Sequence, residues 1–267
     1  MASSPEGDLL TEAHRLAQIE TAREVQRSLL TLWPLLSLED IDGTMAVWLQ
    51  AALLSVMDGA KKSVDVAAAY YTAFRHAEVA GTMPADVAAL RFVSDPQKVA
   101  TVLRLAGPEA VKQALARGSQ TAGADGLASV LSTGQRLTLL PGRATIEAKV
   151  AADPKARGRA RVTSGNACAF CRMLSSRGAV YGKRGDFKAH NDCGCSLEPV
   201  MGSNYRPSPS VAANAEVWKA YRADRKANPD RYEGIGGPKQ AGPNKGEQRD
   251  ASEAMQLGFR RYLDSLA

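Results

Sequence analysis

All four cysteines of the chain and one of its three histidines fall between Cys168 and Cys195. The order is Cys168-x-x-Cys171, eighteen intervening residues, then His190-x-x-Cys193-x-Cys195. A Cys-x-x-Cys pair at a helix start brings two thiolates to one ion with little strain, and structural zinc sites take four ligands from two such pairs. The second pair is less regular. In an extended strand, residues two apart share a face with their β-carbons well separated. Cys193 and Cys195 therefore converge on one ion only if the chain turns at Gly194, a bend that glycine permits. Two ligand sets follow: Cys168, Cys171, Cys193 and Cys195, or the same set with His190 in place of Cys195. The cofactor this pattern implies is a structural zinc. Three other readings stay open: small buried hydrophobes, disulfides, or a fold signature whose metal has been lost.

Nucleophilic chemistry finds less support. Cys168 or Cys171 with His190 could form a thiolate–imidazolium pair, but nothing in the spacing selects it. No Gly-x-Ser-x-Gly elbow is present. His14, on the polar side of a long helix, and His76, at a helix end, read as surface histidines. No Gly-rich loop sits between a strand and a helix to cradle a phosphate. No catalytic residue is assigned.

The net charge of +6 is unevenly placed. From Arg143 to Lys188 there are eleven basic residues (Arg143, Lys149, Lys155, Arg157, Arg159, Arg161, Arg172, Arg177, Lys183, Arg184 and Lys188) against Glu147, Asp153 and Asp186. That segment nets +8, so the rest of the chain carries −2 of the total. Arg143, Lys149, Lys155, Arg157, Arg159 and Arg161 are the candidates for meeting DNA or an acidic partner surface. The same charges would also serve as a solvated face with no partner.

The elements that must position these residues are mainly helical. Alanine and leucine dominate the first two thirds of the chain. Helical spacing predicts an amphipathic helix over about 8–33, ended by Pro34, then helices over about 41–59 and 60–80. Asp95 caps a helix that begins at Pro96. Gly107-Pro108 separates it from another over 109–117, which Gly118 ends. Further helices are expected over 124–133 and 144–152, with Thr138-Leu-Leu-Pro-Gly142 as a turn between them. Small strands are expected at 160–163, 179–181 and 196–200, and a helical turn at 168–174. A linker follows over 199–210, then a short basic helix over 215–227. The Gly/Pro-rich stretch 234–246 is expected to be disordered or extended. A final amphipathic helix over 249–266 either docks on a partner or packs back on its own core. The expected fold class is mainly α: a helical region over 1–152, a small α+β cysteine-rich module over 153–201, and a flexible tail with a terminal helix over 202–267. The N-terminus is polar and acidic without a secretory signal, and no stretch could span a bilayer, so synthesis is expected inside a cell with no membrane partner.

The segments Gly158 to Leu174, Arg177 to Tyr181 and Phe187 to Cys195 resemble the core of the phage Mu F-like minor head proteins of tailed bacteriophages, in the branch found in phages of actinobacteria. The Tyr70-Tyr71-x-x-x-Arg75 stretch resembles that branch too. One departure is Gly194, where Mu-type members usually carry arginine. The resemblance implies a minor capsid protein that acts in head morphogenesis and is packaged in few copies. Its implied partners are the phage portal protein, major capsid or scaffold subunits, and DNA. Its implied place is the virion interior, after assembly in the host cytoplasm. Members of the branch are often labelled capsid maturation proteases. That is the alternative function, for which Ser164, Cys168, Cys171 and His190 are the residues to test.

Overall fold

Three long helices, brought together by buried small residues, carry the rest of the chain. The computed structural model describes residues 4–165, 167–183, 187, 189–202, 205–233 and 245–266. Helix α1, Pro5–Leu32, starts where the Ser4 side chain accepts the Gly7 N–H at 3.0 Å and Pro5 takes the first helical position. Helix α2, Ile41–Glu78, starts likewise, with an Asp40 carboxylate oxygen accepting the Gly43 N–H at 3.0 Å. It runs unbroken for 38 residues, so the boundary expected at Gly59 does not exist. Gly59 serves packing instead: a Cβ there would lie 2.3 Å from a Val25 methyl of α1.

Short helices α3 (Ala85–Ala89), α4 (Pro96–Arg104) and α5 (Ala110–Ala116) follow. Asp95 caps α4 as its sequence suggests, accepting the N–H groups of Gln97 and Lys98. Gly107-Pro108 does not separate α4 from α5. A π turn, Leu105–Glu109, absorbs the proline and joins them, with Gly107 pressed against Val130 and the Trp48 ring. Gly118, at φ +76, closes α5.

Helix α6, Ala122–Ala152, also overrides its punctuation, since the expected turn at 138–142 is helical. An internal proline costs about 3 kcal/mol. Burying Leu137, Leu139, Ile146 and Val150 on the same helix returns roughly 1.5–3 kcal/mol each. Gly142 is there for close approach: its Cβ would lie 2.7 Å from the Ser63 carbonyl oxygen of α2.

The cysteine-bearing part packs directly on this bundle. Strand β1, Ala156–Val162, pairs antiparallel with β2, Ser196–Met201, with Ala160 opposite Glu198. The expected linker therefore starts after Met201. Pro199 is accommodated because each strand of a two-stranded sheet has a free edge. The expected strand at 179–181 is a 3-10 turn, Gly178–Val180, followed by a single bridge in which the Arg159 N–H donates to the Tyr181 carbonyl at 2.8 Å. Helix α7, Ala169–Ser175, lies between them in sequence. One buried cluster contains Tyr71, Phe74, Ile146 and Val150 from the long helices and Ala156, Cys171, Cys193, Cys195 and Leu197 from the cysteine region.

The junction is fastened by charge. Asp153, fully buried, accepts from Arg75 Nε at 2.7 Å and from the Tyr71 hydroxyl at 3.1 Å. Tyr71 and Arg75 lie one turn apart on α2, so the Tyr-Tyr-x-x-x-Arg stretch holds the α6–β1 corner. His14, expected on the surface, is buried and stacked on Tyr70 with ring centroids 4.3 Å apart.

Helices α8 (Pro209–Ala227) and α9 (Lys245–Asp264) complete the described chain. Helix α9 packs back rather than projecting: Phe259 is buried against Tyr221, Tyr232 and Met173. Residues 234–244, expected to be disordered or extended, lie outside the described residues. No helix among the described residues is long and apolar enough to cross a membrane.

Glu198 of β2 is buried, and neither carboxylate oxygen has a hydrogen bond of normal geometry. Burial first, then like charge from Asp8 and Glu78, pushes its carboxyl from 4.5 up to about 7, against the opposing pull of the Ser208 and Tyr205 hydroxyls. Between those two values the folded state holds a proton that the unfolded chain has released, so stability falls as pH rises through that window. At about 1.4 kcal/mol per pH unit, the loss reaches about 3 kcal/mol by pH 8. Glu198→Gln is expected to remove most of this slope and to stabilise the protein at pH 8, read as urea midpoints at pH 5 and pH 8.

Candidate metal centre

Two short pieces of backbone bring the sulfur ligands together. Cys168 is the N-cap of α7 and Cys171 lies in its first turn, a spacing that puts both side chains on one helix face. The second piece is the turn from His190 to Cys193, closed by the Cys193 N–H donating to the His190 carbonyl at 3.3 Å. Asp192, in that turn, takes the left-handed conformation at φ +61, and Cys193 and Cys195 converge across Gly194 as their ligand role requires. Gly194 also leaves room for a neighbour: a Cβ there would come 3.2 Å from the Ser164 side chain. Asp is among the few residues that tolerate the left-handed conformation.

The donors converge on Cys171. His190 Nε2 lies 3.1 Å from Cys168 Sγ and 3.3 Å from Cys171 Sγ, and Cys171 Sγ lies 3.7 Å from Cys193 Sγ. Two triads result, Cys168–Cys171–His190 and Cys171–Cys193–Cys195, each with ligand atoms within 4.8 Å of one another. A tetrahedral ion with metal–sulfur bonds of about 2.3 Å separates its sulfurs by about 3.8 Å. The Cys171–Cys193 spacing fits that edge and is far too long for a disulfide, and all four cysteines are free thiols. His190 Nδ1 donates to the Asn191 carbonyl, which turns Nε2 toward the sulfurs. Arg136 Nε holds the Asn191 side chain at 2.8 Å. Such outer bonds orient metal-ligating histidines. The residues therefore could hold a metal ion, with five donors for four places.

The electrostatics agree with an anionic cluster. The Arg161 guanidinium lies 3.6 Å from Cys171 Sγ and 3.8 Å from Cys193 Sγ, over the Phe187 ring at 3.8 Å. Arg143 Nε donates to the Cys195 carbonyl at 2.9 Å, and its outer nitrogen donates to the Cys193 carbonyl. Burial lowers the Arg143 pKa, while the sulfurs of Cys193, first, and Cys195 support its charge. Two buried cations beside the sulfurs are costly unless negative charge faces them. The Cys193 thiol is held well below its usual range, chiefly by hydrogen bonding to Cys171 and Cys195, and Cys171 is pushed up in exchange. The exposed Cys168 thiol falls to about 5, held first by its hydrogen bond with Cys171, then by the Cys171 N–H and His190.

The basic candidates divide. Arg143, Lys149, Arg159 and Arg161 are buried and do not form a surface for DNA or an acidic partner. Lys149 Nζ donates to the Val87 and Ala88 carbonyls, and Arg159 pairs with Glu147 at 2.9 Å. Long stems and multiple donors let these side chains spend their charge on internal acceptors. Lys155 and Arg157 are exposed. Arg184, Asp186 and Lys188 lie outside the described residues. Ser164 lines a groove of about 540 Å³ with Gln135 and Asp192, and no histidine bonds to it among the described residues. The excess of arginine beside the cysteines was the one sequence signal for Arg143 and Arg161 as charge partners of the sulfurs; Arg136 and Phe187 gave none.

A family model described as VG15 protein matches residues 8–221, from the first turns of α1 through all five candidate ligands into α8. No curated protein and no solved structure matches the chain. With four fifths of its length covered by that match, the chain belongs to the VG15 protein family, a family of viral proteins.

Proposed function

We propose that this protein is a minor capsid component of a tailed bacteriophage, related to the Mu F-like minor head proteins and acting through structure and interaction, not turnover. The observation that carries the reading is the place of the cysteine–histidine cluster. Three of its thiols lie in the same buried core as the long helices, where a zinc ion would cross-link α7, the 190–195 turn and the bundle. A bound zinc supplies a cross-link of that kind, and the outer surfaces of the helices are left for the portal protein and for capsid or scaffold subunits. Of the basic residues around β1, Lys155 and Arg157 remain to meet DNA. The protein works in the head interior after assembly in the host cytoplasm. Mass spectrometry of purified heads tests this: a few copies per particle are expected in wild-type heads, with defective heads when the gene is silenced. Normal, infectious particles lacking the protein would overturn it.

A capsid maturation protease is the second reading, favoured by the exposed Cys168 thiol 3.1 Å from His190 Nε2. It expects Cys168→Ala to abolish head-protein cleavage while the chain stays folded. The structural reading expects an unchanged cleavage pattern.

A further inference from the structure

Helix α8 carries Trp218, Arg222, Arg225 and Lys226 at spacings of four, seven and eight residues, which places them along one face. Arg177, just past α7, joins that face, and Met255 of α9 closes the far side of a groove of about 610 Å³. Arg177, Arg222, Arg225 and Lys226 are exposed, and none pairs with a carboxylate among the described residues. Two acids of α8 are engaged elsewhere: Asp224 holds Arg231, Asn228 and Tyr232, and Glu216 holds Lys219. The floor is aromatic. Trp218 is half-buried against Phe259 and Tyr221, and the buried Tyr221 hydroxyl has no hydrogen-bond partner of normal geometry.

Local structure explains only part of this. Cations in the last turn favour the helix dipole, which accounts for Arg225 and Lys226. It does not account for Arg222 or Arg177, and like charges three and four residues apart weaken the helix. Four cations with no carboxylate partner among the described residues, around an aromatic floor, fit a chain of phosphates with a flat ring near it. The geometry points to a nucleic-acid site here, taking a phosphodiester backbone across Arg177, Arg222, Arg225 and Lys226. The site is separate from the metal centre and from Lys155 and Arg157. It rests on no part of the head-protein reading, because the isolated chain suffices to test it.

The test is fluorescence anisotropy of the full chain with labelled 20-nucleotide DNA, single-stranded and duplex, from 50 to 300 mM salt. Four phosphate contacts predict a slope of log K against log salt of about −2.8 on a single strand. Arg222→Gln/Lys226→Gln is expected to halve that slope and weaken binding at least tenfold at 50 mM salt, with an unchanged melting temperature. Tighter binding to the single strand than to the duplex would put an unpaired base on Trp218, and equal binding would mean that phosphates alone are read. Two results overturn the site: full binding by the double variant, or loss of binding in Lys155→Gln/Arg157→Gln instead. Displacement of DNA by poly-glutamate, charge for charge, would overturn it too, by assigning the groove to an acidic protein.

Discussion

If the proposed structural zinc is bound, replacing Cys171 with serine is expected to abolish metal binding and to unfold the segment from α7 to β2. Cys171 is the one thiol common to both donor triads, and its side chain is buried in the main core. A structural zinc contributes roughly 10–16 kcal/mol to folding in small zinc modules. Loss of a shared ligand is therefore expected to remove several kcal/mol, more than any other single thiol change. Elemental analysis of reduced wild-type protein should find about one zinc per chain, and the Cys171→Ser protein less than about a tenth of that. A thiol count on the same samples should show protected thiols in the first and reactive thiols in the second. The choice of fourth ligand is read from His190→Ala and Cys195→Ser, because the variant that keeps its metal marks the donor left out. Full thiol reactivity and no metal in the wild-type protein would return the cluster to a packing role.

The second large effect is expected at the buried ion pair. Arg75→Met leaves Asp153 fully buried without its cation and short of its strongest donor. Breaking one side of such a pair costs about 3–5 kcal/mol. Asp153→Asn keeps an acceptor for Tyr71 and is expected to cost less. The Arg75→Met/Asp153→Asn double variant should recover part of the loss, with a coupling of about 1–3 kcal/mol measured by urea denaturation of all four proteins. Additive losses would mean that Arg75 acts mainly through its bond to the Gly81 carbonyl.

Both effects centre on residues whose partners lie far away in sequence. Arg75 and Asp153 are 78 positions apart, and Arg143 meets the Cys193 and Cys195 carbonyls 50 and 52 positions on. No periodicity reports such a pairing. The same holds for the basic stretch. Its net charge is plain in the sequence, but a run of arginines reads alike whether the side chains face water or thiolates. Only the packing of β1 against α6 and the 190–195 turn takes Arg143, Arg159 and Arg161 inside.

What the sequence by itself determined is local. Asp95 caps the helix it precedes, because a side-chain oxygen reaches an N–H two or three residues on whatever the rest of the chain does. The Cys-x-x-Cys and His-x-x-Cys spacings bring donors together for the same reason, since the backbone between them is one helical turn or one tight turn. The tertiary structure decided the rest. Gly59, Gly107-Pro108 and Pro141-Gly142 read as breaks, and each lies inside a continuous helical path because a neighbouring helix needs the space that glycine leaves. Intrinsic propensity is worth up to about 1 kcal/mol for glycine and 3 for proline, and burial of several large side chains along the same helix exceeds both. Likewise the left-handed Asp192 and the packing of Ser164 against Gly194 are tertiary features of the ligand turn that the cysteine spacing alone does not report.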